Sequence, residues 1–551
     1  MTSINFYLFI PFALLCMVLV WSWLTLRTFN RHAPLPPSPP SDPLIGHMRI
    51  LMSTSDISKE YSRWSKVLRS DIISFNLLGE TIIVLNSSDA AEDLLSKRSS
   101  IYSDRPRAST TMATSDRLVG WGNNTGIIRY GERWRAQRRM THELLHKRAS
   151  EELWPSIIKN SRLALEQLLD KPDEFESHLR RMAGSSIIKS VYGYEATASN
   201  DALFEAVSQA VQGFSQAVLA SSTHTATLLS NLIVRTDIVK KYVSSDFYVN
   251  LFPWMQYIPA WFPGAQWKRK ALAWREQTDQ MLNIPYNWTR DKMESGTAPP
   301  SMLSRLLGSY RKELSDEEKN ITLWAAGTLF GALRPFNTCI VQNEAGTDTT
   351  VASSLIFVMA MAMHPEVQTR AQAEIDSVLG GSRLPEMDDR QSMPYVHAIV
   401  KEVLRWRSVL PLGTPHASIE EDFYQGYRIP KGATIIPNQW AMSNDKRVYS
   451  NPERFDPSRY LDTSVPEAPA FGFGRRSCPG IHFAQAALFM VASGMLACFD
   501  ISPKKDSEGH PIPLTATMGQ NTITSQPLPF KVDIKARSEK HEQLLREWAD
   551  M

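Results

Sequence analysis

The sequence predicts a mainly α-helical fold with small β-sheets, organised as one large domain behind an N-terminal transmembrane helix. Three observations support this prediction. Residues 6–26 are apolar and uncharged, most later segments show helical periodicity, and only a few short runs are typical of strands. No linker interrupts the chain after about residue 50, so we expect residues 49–551 to form a single unit.

Composition limits the class of protein. Hydrophobic residues make up 43% of the 551 residues, which is enough for a large core and too much for a disordered chain. The formal net charge of +3 is too small to indicate a nucleic-acid partner. The four cysteines stand in dissimilar contexts and are too few for a disulfide scaffold. We therefore expect reduced thiols and a cytosolic domain.

Residues 1–30 are predicted to be a membrane anchor. About 20 consecutive apolar residues are enough to span the bilayer core, and residues 6–26 meet that length. Arg27 and Arg31 follow the apolar run and no basic residue precedes it, so the rest of the chain is expected on the cytosolic side. Residues 31–48 contain the stretch PLPPSPPSDP, whose prolines predict a stiff, extended spacer.

Local patterns predict the elements of the domain in chain order. Alternating apolar runs around a glycine indicate a hairpin, and capping residues before apolar periodicity indicate helices. The predicted elements are a hairpin over 71–86, helices over 88–96, 131–147 and 315–331, a helix that begins at Pro365, and two short strands within 426–440.

The strongest chemical signal is the segment Phe471-Gly-Phe-Gly474-Arg-Arg476-Ser-Cys478-Pro-Gly480. Its glycines permit a tight turn and a close approach to a flat ligand, and its arginines and turned amides favour a thiolate. A cysteine that only packs in a core needs no such surroundings. The segment resembles the haem-binding loop of the cytochrome P450 family, F-x-x-G-x-R-x-C-x-G, and Phe471, Gly474, Arg476, Cys478 and Gly480 all match.

This resemblance implies the cytochrome P450 fold and a haem b cofactor, iron protoporphyrin IX, with Cys478 as the axial thiolate ligand of the iron. A thiolate ligand favours cleavage of the O–O bond. Arg476 is implied to pair with a haem propionate. Trp134 and Arg138, one helical turn apart in GERWRAQRRM, and His416 in PLGTPH are implied by the same resemblance to be further propionate contacts.

Glu402 and Arg405 are three residues apart, so they can pair on one face of a helix. The family has an E-x-x-R helix whose pair is joined by an arginine from a P-E-R-F-like segment, and residues 452–455 read PERF. The resemblance therefore assigns Glu402, Arg405 and Arg454 to a structural charge network under the haem loop. Such a network is costly to break once it is buried.

The segment AGTDTT, residues 345–350, resembles the distal helix of the family. The resemblance implies that Asp348 and Thr349 relay protons during oxygen activation. The first half of that helix, WAAGTLFGA, is separated from it by LRPFNTCIVQNEA, residues 333–345, which contains Pro335 and does not keep the helical register. Two interpretations are open: a translated intron in the gene model, which we favour, or a genuine insertion that loops out or splits the helix.

Together these motifs predict a haem-thiolate monooxygenase of the fungal microsomal type. The resemblance implies insertion of one oxygen atom from O2 into a lipophilic small molecule of secondary metabolism, at the endoplasmic reticulum membrane, by a single-pass protein. Electrons are expected from NADPH through NADPH–cytochrome P450 reductase, because the chain shows no G-x-G-x-x-G unit of its own. Cytochrome b5 is a further candidate partner.

Substrate contacts are assigned only by position. Met112, Trp121 and Phe214 are candidates for the pocket, and the aromatic-rich segment 251–264 is expected near a membrane-facing entrance. Two alternatives remain open. A haem-thiolate isomerase or dehydratase needs no external electrons, and Asp348 with Thr349 argues against it. A haem-binding protein with impaired catalysis is compatible with the insertion at 333–345.

Deletion of residues 333–345 tests the importance of the insertion. We expect the shortened chain to turn over more substrate per bound haem, because deletion restores a continuous WAAGTLFGAGTDTT helix and removes Pro335, which disfavours a helix interior by roughly 3 kcal/mol. Turnover is compared after reconstitution with reductase and normalised to haem content. Equal or lower turnover after deletion would show that the insertion does not impair oxygen activation.

Overall fold

The computed structural model describes residues 33–549, apart from isolated positions or pairs and the segments 107–113, 197–200, 218–248, 250–252, 332–348 and 521–523. Helices dominate this part of the chain, and the strands form small sheets. The predicted mainly α fold with small sheets is therefore confirmed. The predicted anchor over residues 1–30 and the insertion over 333–345 lie outside the described residues.

Several helices begin where the sequence provides a cap or a proline in the first turn. Ser315 and Glu318 cap the helix at Asp316 reciprocally, and Pro365 opens another helix as predicted. The α-helices are α1 (Met48–Met52), α2 (Ile57–Leu68), α3 (Ser88–Ala91), α4 (Ser99–Tyr102), α5 (Glu132–Leu145), α6 (Lys147–Glu151), α7 (Trp154–Asp170), α8 (Phe175–Tyr192), α9 (Gln266–Glu294), α10 (Met302–Ser309), α11 (Asp316–Gly331), α12 (Thr349–Met363), α13 (Pro365–Leu379), α14 (Pro394–Trp406), α15 (Gln439–Ser443), α16 (Ile481–Cys498) and α17 (Glu539–Ala549).

The strands are short and form small sheets. They are β1 (Ile72–Leu77), β2 (Glu80–Leu85), β3 (His416–Ala417), β4 (Asp422–Tyr424), β5 (Tyr427–Ile429), β6 (Thr434–Pro437), β7 (Phe499–Pro503), β8 (Met518–Gln520), β9 (Ser525–Pro527) and β10 (Val532–Ala536). The predicted hairpin is β1 with β2, which pair antiparallel. The largest sheet has the order β1-β2-β6-β3. The two strands predicted within 426–440 are β5 and β6, and they belong to different sheets.

The proline-rich segment before α1 is extended and bound to the domain. The Ser74 hydroxyl donates to the Pro36 carbonyl at 2.6 Å, and the Ser74 amide donates to the Pro37 carbonyl at 2.9 Å. A ring nitrogen of the buried His47 lies 2.8 Å from the Pro39 carbonyl oxygen. Proline carbonyls keep their acceptor capacity although proline lacks an N–H. This part of the predicted spacer is therefore held against β1.

Two apolar helices form the centre of the core. Residues 350–362 of α12 are all buried, and α16 is buried from Ala486 to its end. Among the described residues, α16 is long and apolar enough to cross a membrane, and the bent pair of α12 and α13 also qualifies when taken together. However, 78% of α16 is buried inside the domain. Its composition is therefore that of a core helix, and it places the segment that precedes it, residues 471–480, against the interior.

A buried ion pair anchors α14. Neither Glu402 nor Arg405 exposes any of its side chain. The Arg405 Nε and Nη2 atoms each donate to one Glu402 oxygen at 2.8 Å, a bidentate geometry. The Arg405 Nη1 atom donates to the Ser443 carbonyl at 2.8 Å, and Glu402 also accepts the Asp456 amide N–H at 2.9 Å. The pair therefore ties α14 to residues 443–456.

The third member of this network is Arg459, which is almost fully buried. Its Nε atom lies 3.1 Å from a Glu402 carboxylate oxygen. Arg454 is exposed and contributes only its backbone carbonyl, to Arg405. The prediction that the Arg454 side chain joins the network is therefore wrong. Residues 457–460, PSRY, repeat the proline–x–arginine–aromatic pattern of PERF, and the repeat is the signal that points to Arg459.

The two arginines give a matched test of the network. Arg459→Ala removes one of the two guanidinium partners of a buried carboxylate, and we expect it to lower the free energy of unfolding by about 2 kcal/mol. Arg454→Ala removes an exposed side chain and is expected to change it by less than about 0.5 kcal/mol. Urea unfolding of the haem-loaded protein measures both. Equal losses in the two variants would contradict the assignment of Arg459.

Candidate functional site

The segment Phe471–Gly480 forms a tight loop in front of α16. The Cys478 amide donates to the Phe471 carbonyl at 2.8 Å and closes the loop. Gly474 has a φ of +52°, and a Cβ at this position would lie 2.2 Å from the Leu95 carbonyl oxygen. Both the left-handed backbone and the close contact require glycine. The loop therefore packs directly on the π-helical turn Glu92–Lys97 that continues α3.

Cys478 is exposed to solvent, although many protein atoms lie around its side chain. Burial raises the pKa of the Cys478 thiol, while a hydrogen bond from the Gly480 backbone and the charge of Arg138 act in the opposite direction. The cation that favours the thiolate is therefore Arg138 of α5, and not the arginines of the segment itself as the sequence predicts, and burial outweighs its effect. The neighbouring Arg475 is exposed and donates to the Tyr130 hydroxyl.

Arg476 is held by three backbone carbonyls. Its Nε atom donates to the Ser103 carbonyl at 2.8 Å, and its Nη1 and Nη2 atoms donate to the Thr125 and Ile128 carbonyls at 3.2 and 2.7 Å. Burial lowers the pKa of Arg476 to about 10. Carbonyl dipoles neutralise a cation only in part, so an anionic partner would stabilise the Arg476 guanidinium further.

Arg105 is a buried arginine that lies beside Arg476. No sequence motif includes it. Its Nε atom donates to the Gly126 carbonyl at 2.9 Å, and its Nη1 atom donates to the Thr414 and Pro415 carbonyls. Burial lowers the pKa of Arg105 to about 9, and the charge of Arg476 contributes. No local spacing marks this residue, because its partners lie about 20 and 310 residues away in sequence.

Trp134 and Arg138 share one face of α5, as their spacing predicts. Trp134 is buried, and the Arg476 guanidinium carbon lies 4.5 Å from the centre of its ring. Arg138 is half-buried, and burial lowers its pKa while the nearby Cys478 raises it. The structure therefore brings the W-x-x-x-R helix and the cysteine loop together.

His416 lies in β3 and is buried. Its Nδ1 atom lies 2.7 Å from the Tyr102 carbonyl oxygen. Burial lowers the pKa of His416 to about 3, and the charges of Arg105 and Arg476 add to this effect. The imidazole is therefore neutral near pH 7 and donates its Nδ1–H to Tyr102. Its position beside the two arginines agrees with the placement that the sequence predicts.

The predicted oxygen side is only partly described. Asp348 lies outside the described residues, as does Met112, whereas Thr349 is the first residue of α12 and is half-buried. The Thr349 carbonyl accepts the Ser353 hydroxyl at 2.8 Å. The predicted helix before the insertion is α11, which ends at Gly331. The proton-relay role of Asp348 and Thr349 stays a prediction.

Two of the pocket candidates belong to an aromatic cluster. The Trp121 and Phe214 rings stack with centroids 4.2 Å apart, and Trp324 of α11 meets Trp121 edge-on at 6.0 Å. The Trp121 indole N–H donates to the Thr278 hydroxyl of α9 at 2.9 Å. The cluster joins α9 and α11 to the segment that carries Trp121. Contact of these side chains with a substrate stays a prediction.

The charges of the site fit a haem. In the part of the chain that the structure describes, Arg105, Arg138 and Arg476 form no ion pair with a carboxylate, and the nearby Asp104 is paired with Arg129. Partly buried cations without anionic partners suit the two carboxylates of a haem. A metal ion that binds the Cys478 sulfur would remove its proton despite the burial. The fold and this donor set define a haem-thiolate protein.

Comparisons with known proteins give the family. The family model described as Cytochrome P450 matches residues 36–533. A cytochrome P450 monooxygenase of Armillaria gallica is 35% identical over 541 residues, which cover 96% of this chain and 98% of that protein. The chain therefore belongs to the cytochrome P450 family. It is an oxidoreductase with a haem-thiolate cofactor, and its relatives in this range are named monooxygenases.

Two further relatives show how far the similarity extends. Tryptamine 4-monooxygenase of Psilocybe cyanescens is 34% identical over 521 residues, which cover 93% of this chain and 94% of that protein. A zebra fish cytochrome P450 solved with abiraterone has a TM-score of 0.64 at 22% identity and covers 88% of this chain and 100% of that chain. The solved structure supports the fold alone.

Proposed function

We propose that this protein is a monooxygenase that inserts one oxygen atom from O2 into a lipophilic small molecule of fungal secondary metabolism. The observation that carries the proposal is the glycine-dependent loop with the exposed Cys478, beside three arginines that have no carboxylate partner among the described residues. The fungal relatives named as monooxygenases support the same reaction class. The substrate is proposed only by its lipophilic character.

In this proposal each group of residues has a separate task. A haem held by the thiolate would supply dioxygen binding and O–O bond cleavage. Cys478 is the ligand, while Arg105, Arg138 and Arg476 hold the haem carboxylates through charge-assisted hydrogen bonds. The Thr349 hydroxyl passes a proton that the Asp348 carboxyl receives from solvent, which couples proton delivery to oxygen activation.

Exposed basic residues near the cysteine loop support a reductase as the electron donor. Arg135 on α5 and Arg475 in the loop are both exposed, and their guanidinium carbons each lie 5.6 Å from the centre of the Tyr130 ring. They therefore form one basic patch, which Arg139 extends along α5. An acidic partner would be attracted and oriented by this patch. We propose NADPH–cytochrome P450 reductase as that partner, with cytochrome b5 as a second candidate.

An exposed aromatic surface supports attachment to the endoplasmic reticulum membrane. Four large aromatic side chains within ten residues are exposed: Trp254 (64%), Tyr257 (65%), Trp261 (79%) and Phe262 (49%). Lys268 donates to the Gln256 and Ile258 carbonyls, so the segment has a fixed shape. Tryptophan and tyrosine prefer the interface between lipid and water. We propose that this surface lies on the cytosolic leaflet and that the single anchor over residues 1–30 holds it there.

A haem-thiolate isomerase or dehydratase is the second candidate function. Such an enzyme rearranges or dehydrates its substrate without external electrons, so NADPH and a reductase separate it from the monooxygenase. A haem-binding protein without turnover is the third candidate. The carbon monoxide complex separates all three candidates from a protein without a thiolate-bound haem. The carbon monoxide complex needs no substrate, whereas the comparison with and without NADPH requires one that is converted.

Isotope incorporation tests the proposed reaction. We expect microsomes that contain this protein and reductase to yield a product with one oxygen atom from ¹⁸O2, and only when NADPH is present. Cys478→Ser replaces the soft sulfur ligand with a hydroxyl, and we expect it to lose the thiolate spectrum of the reduced carbon monoxide complex together with the product. Conversion in the absence of NADPH, or a product that contains no ¹⁸O, would contradict a monooxygenase and favour the isomerase or dehydratase.

Vesicle binding tests the aromatic surface separately from the anchor. In a chain that starts at residue 31, Trp261→Ser with Phe262→Ser is expected to weaken binding to phosphatidylcholine vesicles by roughly tenfold or more, because two exposed aromatic side chains no longer enter the lipid. Phe423→Ser is the matched control, since Phe423 is also exposed (52%) but lies in β4. An equal loss in the control would contradict a specific membrane surface.

A further inference from the structure

A short loop holds two arginines of the haem site, the buried Arg105 and the half-buried Arg476. We name residues 123–128 the carbonyl loop, because its carbonyls accept from the guanidinium groups. The Thr125 and Ile128 carbonyls accept from Arg476, and the Gly126 carbonyl accepts from Arg105 at 2.9 Å. The position of this loop therefore determines where the two cations lie.

Two helices hold the carbonyl loop in place. The Thr125 amide N–H donates to the Thr328 hydroxyl oxygen of α11 at 3.1 Å. The Thr125 hydroxyl donates to the Gln137 side-chain carbonyl of α5 at 3.1 Å, and the Gln137 amide group donates to the Asn123 carbonyl, also at 3.1 Å. Thr125 and Gln137 are both buried. Thr328 is half-buried, so the Thr125 end of its hydrogen bond is the more protected one.

We propose that Thr328 is a positioning residue for the haem: its hydroxyl oxygen fixes the carbonyl loop through the Thr125 amide and thereby sets the positions of Arg476 and Arg105. The inference rests on the haem site and not on the oxidised substrate. In the described part of the chain the Thr328 hydroxyl forms no hydrogen bond with the cysteine loop or with the two arginines, and it acts through Thr125.

The physical reason is the burial of the Thr125 amide. Thr328→Val keeps the shape of threonine but removes the acceptor. The Thr125 amide N–H then has no partner inside the protein. An unmade hydrogen bond of this kind is enough to change an equilibrium by roughly tenfold. The loop is expected to move until the amide finds another acceptor, and Arg476 and Arg105 then lose the alignment of their carbonyls.

Thr322 provides a matched control on the same helix. It is buried, and its hydroxyl donates to the Glu318 carbonyl of α11 at 2.9 Å, so its hydrogen bond stays inside the helix. Thr322→Val therefore makes the same chemical change in α11 without affecting the carbonyl loop. Thr328→Ser keeps the hydroxyl and is the conservative variant.

The experiment compares haem-loaded Thr328→Val, Thr328→Ser and Thr322→Val with the unaltered protein. We expect haem transfer to excess apomyoglobin to be roughly tenfold faster in Thr328→Val. We also expect a lower haem reduction potential, because two cations are held less firmly, and faster hydrogen exchange at residues 123–128. Thr328→Ser is expected to restore all three values, and Thr322→Val is expected to leave them unchanged.

Each outcome decides the proposal. Unchanged haem transfer and potential in Thr328→Val would overturn it, as would equal effects of Thr322→Val or a failure of Thr328→Ser to restore the values. If the valine variant does not fold, Gln137→Leu releases the same loop from α5, and unchanged haem transfer in that variant would overturn the proposal. None of these measurements uses a substrate, so a failure of the proposed reaction is distinguishable from a failure of this inference.

Discussion

The bidentate ion pair between Glu402 and Arg405 is the interaction on which the position of the cysteine loop depends. Two fully buried charges are stable only when every donor and acceptor has a partner. Arg459, the Ser443 carbonyl and the Asp456 amide supply those partners. The pair therefore fixes α14 against residues 443–459. Because α14 also packs on α16, which follows Cys478 directly, this network supports the cysteine loop.

The haem site differs from this network, because its arginines have no carboxylate partner among the described residues. Its arginines are held by backbone carbonyls, which orient them without cancelling their charge. The cost of burying such cations is the reason that the pKa values of Arg105 and Arg476 fall. An anionic cofactor offsets this cost, so haem binding and the stability of the site are coupled. The network of Glu402, Arg405 and Arg459 needs no ligand, whereas the arginines beside Cys478 require an anionic ligand.

The sequence predicts what depends on local spacing and misses what depends on distant contacts. Cys478 and the Trp134–Arg138 pair follow from short motifs, and the structure places them together as expected. Arg454 and Arg459 stand in almost identical local patterns, and only the path of the chain after α15 decides which one reaches Glu402. Arg105 has no motif, because its carbonyl partners come from segments that approach only after folding. Thr328 is hidden for the same reason.

Haem binding and oxygen activation depend on different parts of the chain. The thiolate ligand, the arginines and the carbonyl loop are all built from described residues that pack in one core. The oxygen side depends on residues 332–348, between the end of α11 and the start of α12. Under the proposed roles of Asp348 and Thr349, an insertion there is expected to change proton delivery before it changes haem affinity. However, α11 also carries Thr328, so a displacement of its last turns would reach Arg476 through Thr125. A comparison of the chain with and without the insertion therefore tests whether haem binding and oxygen activation are independent.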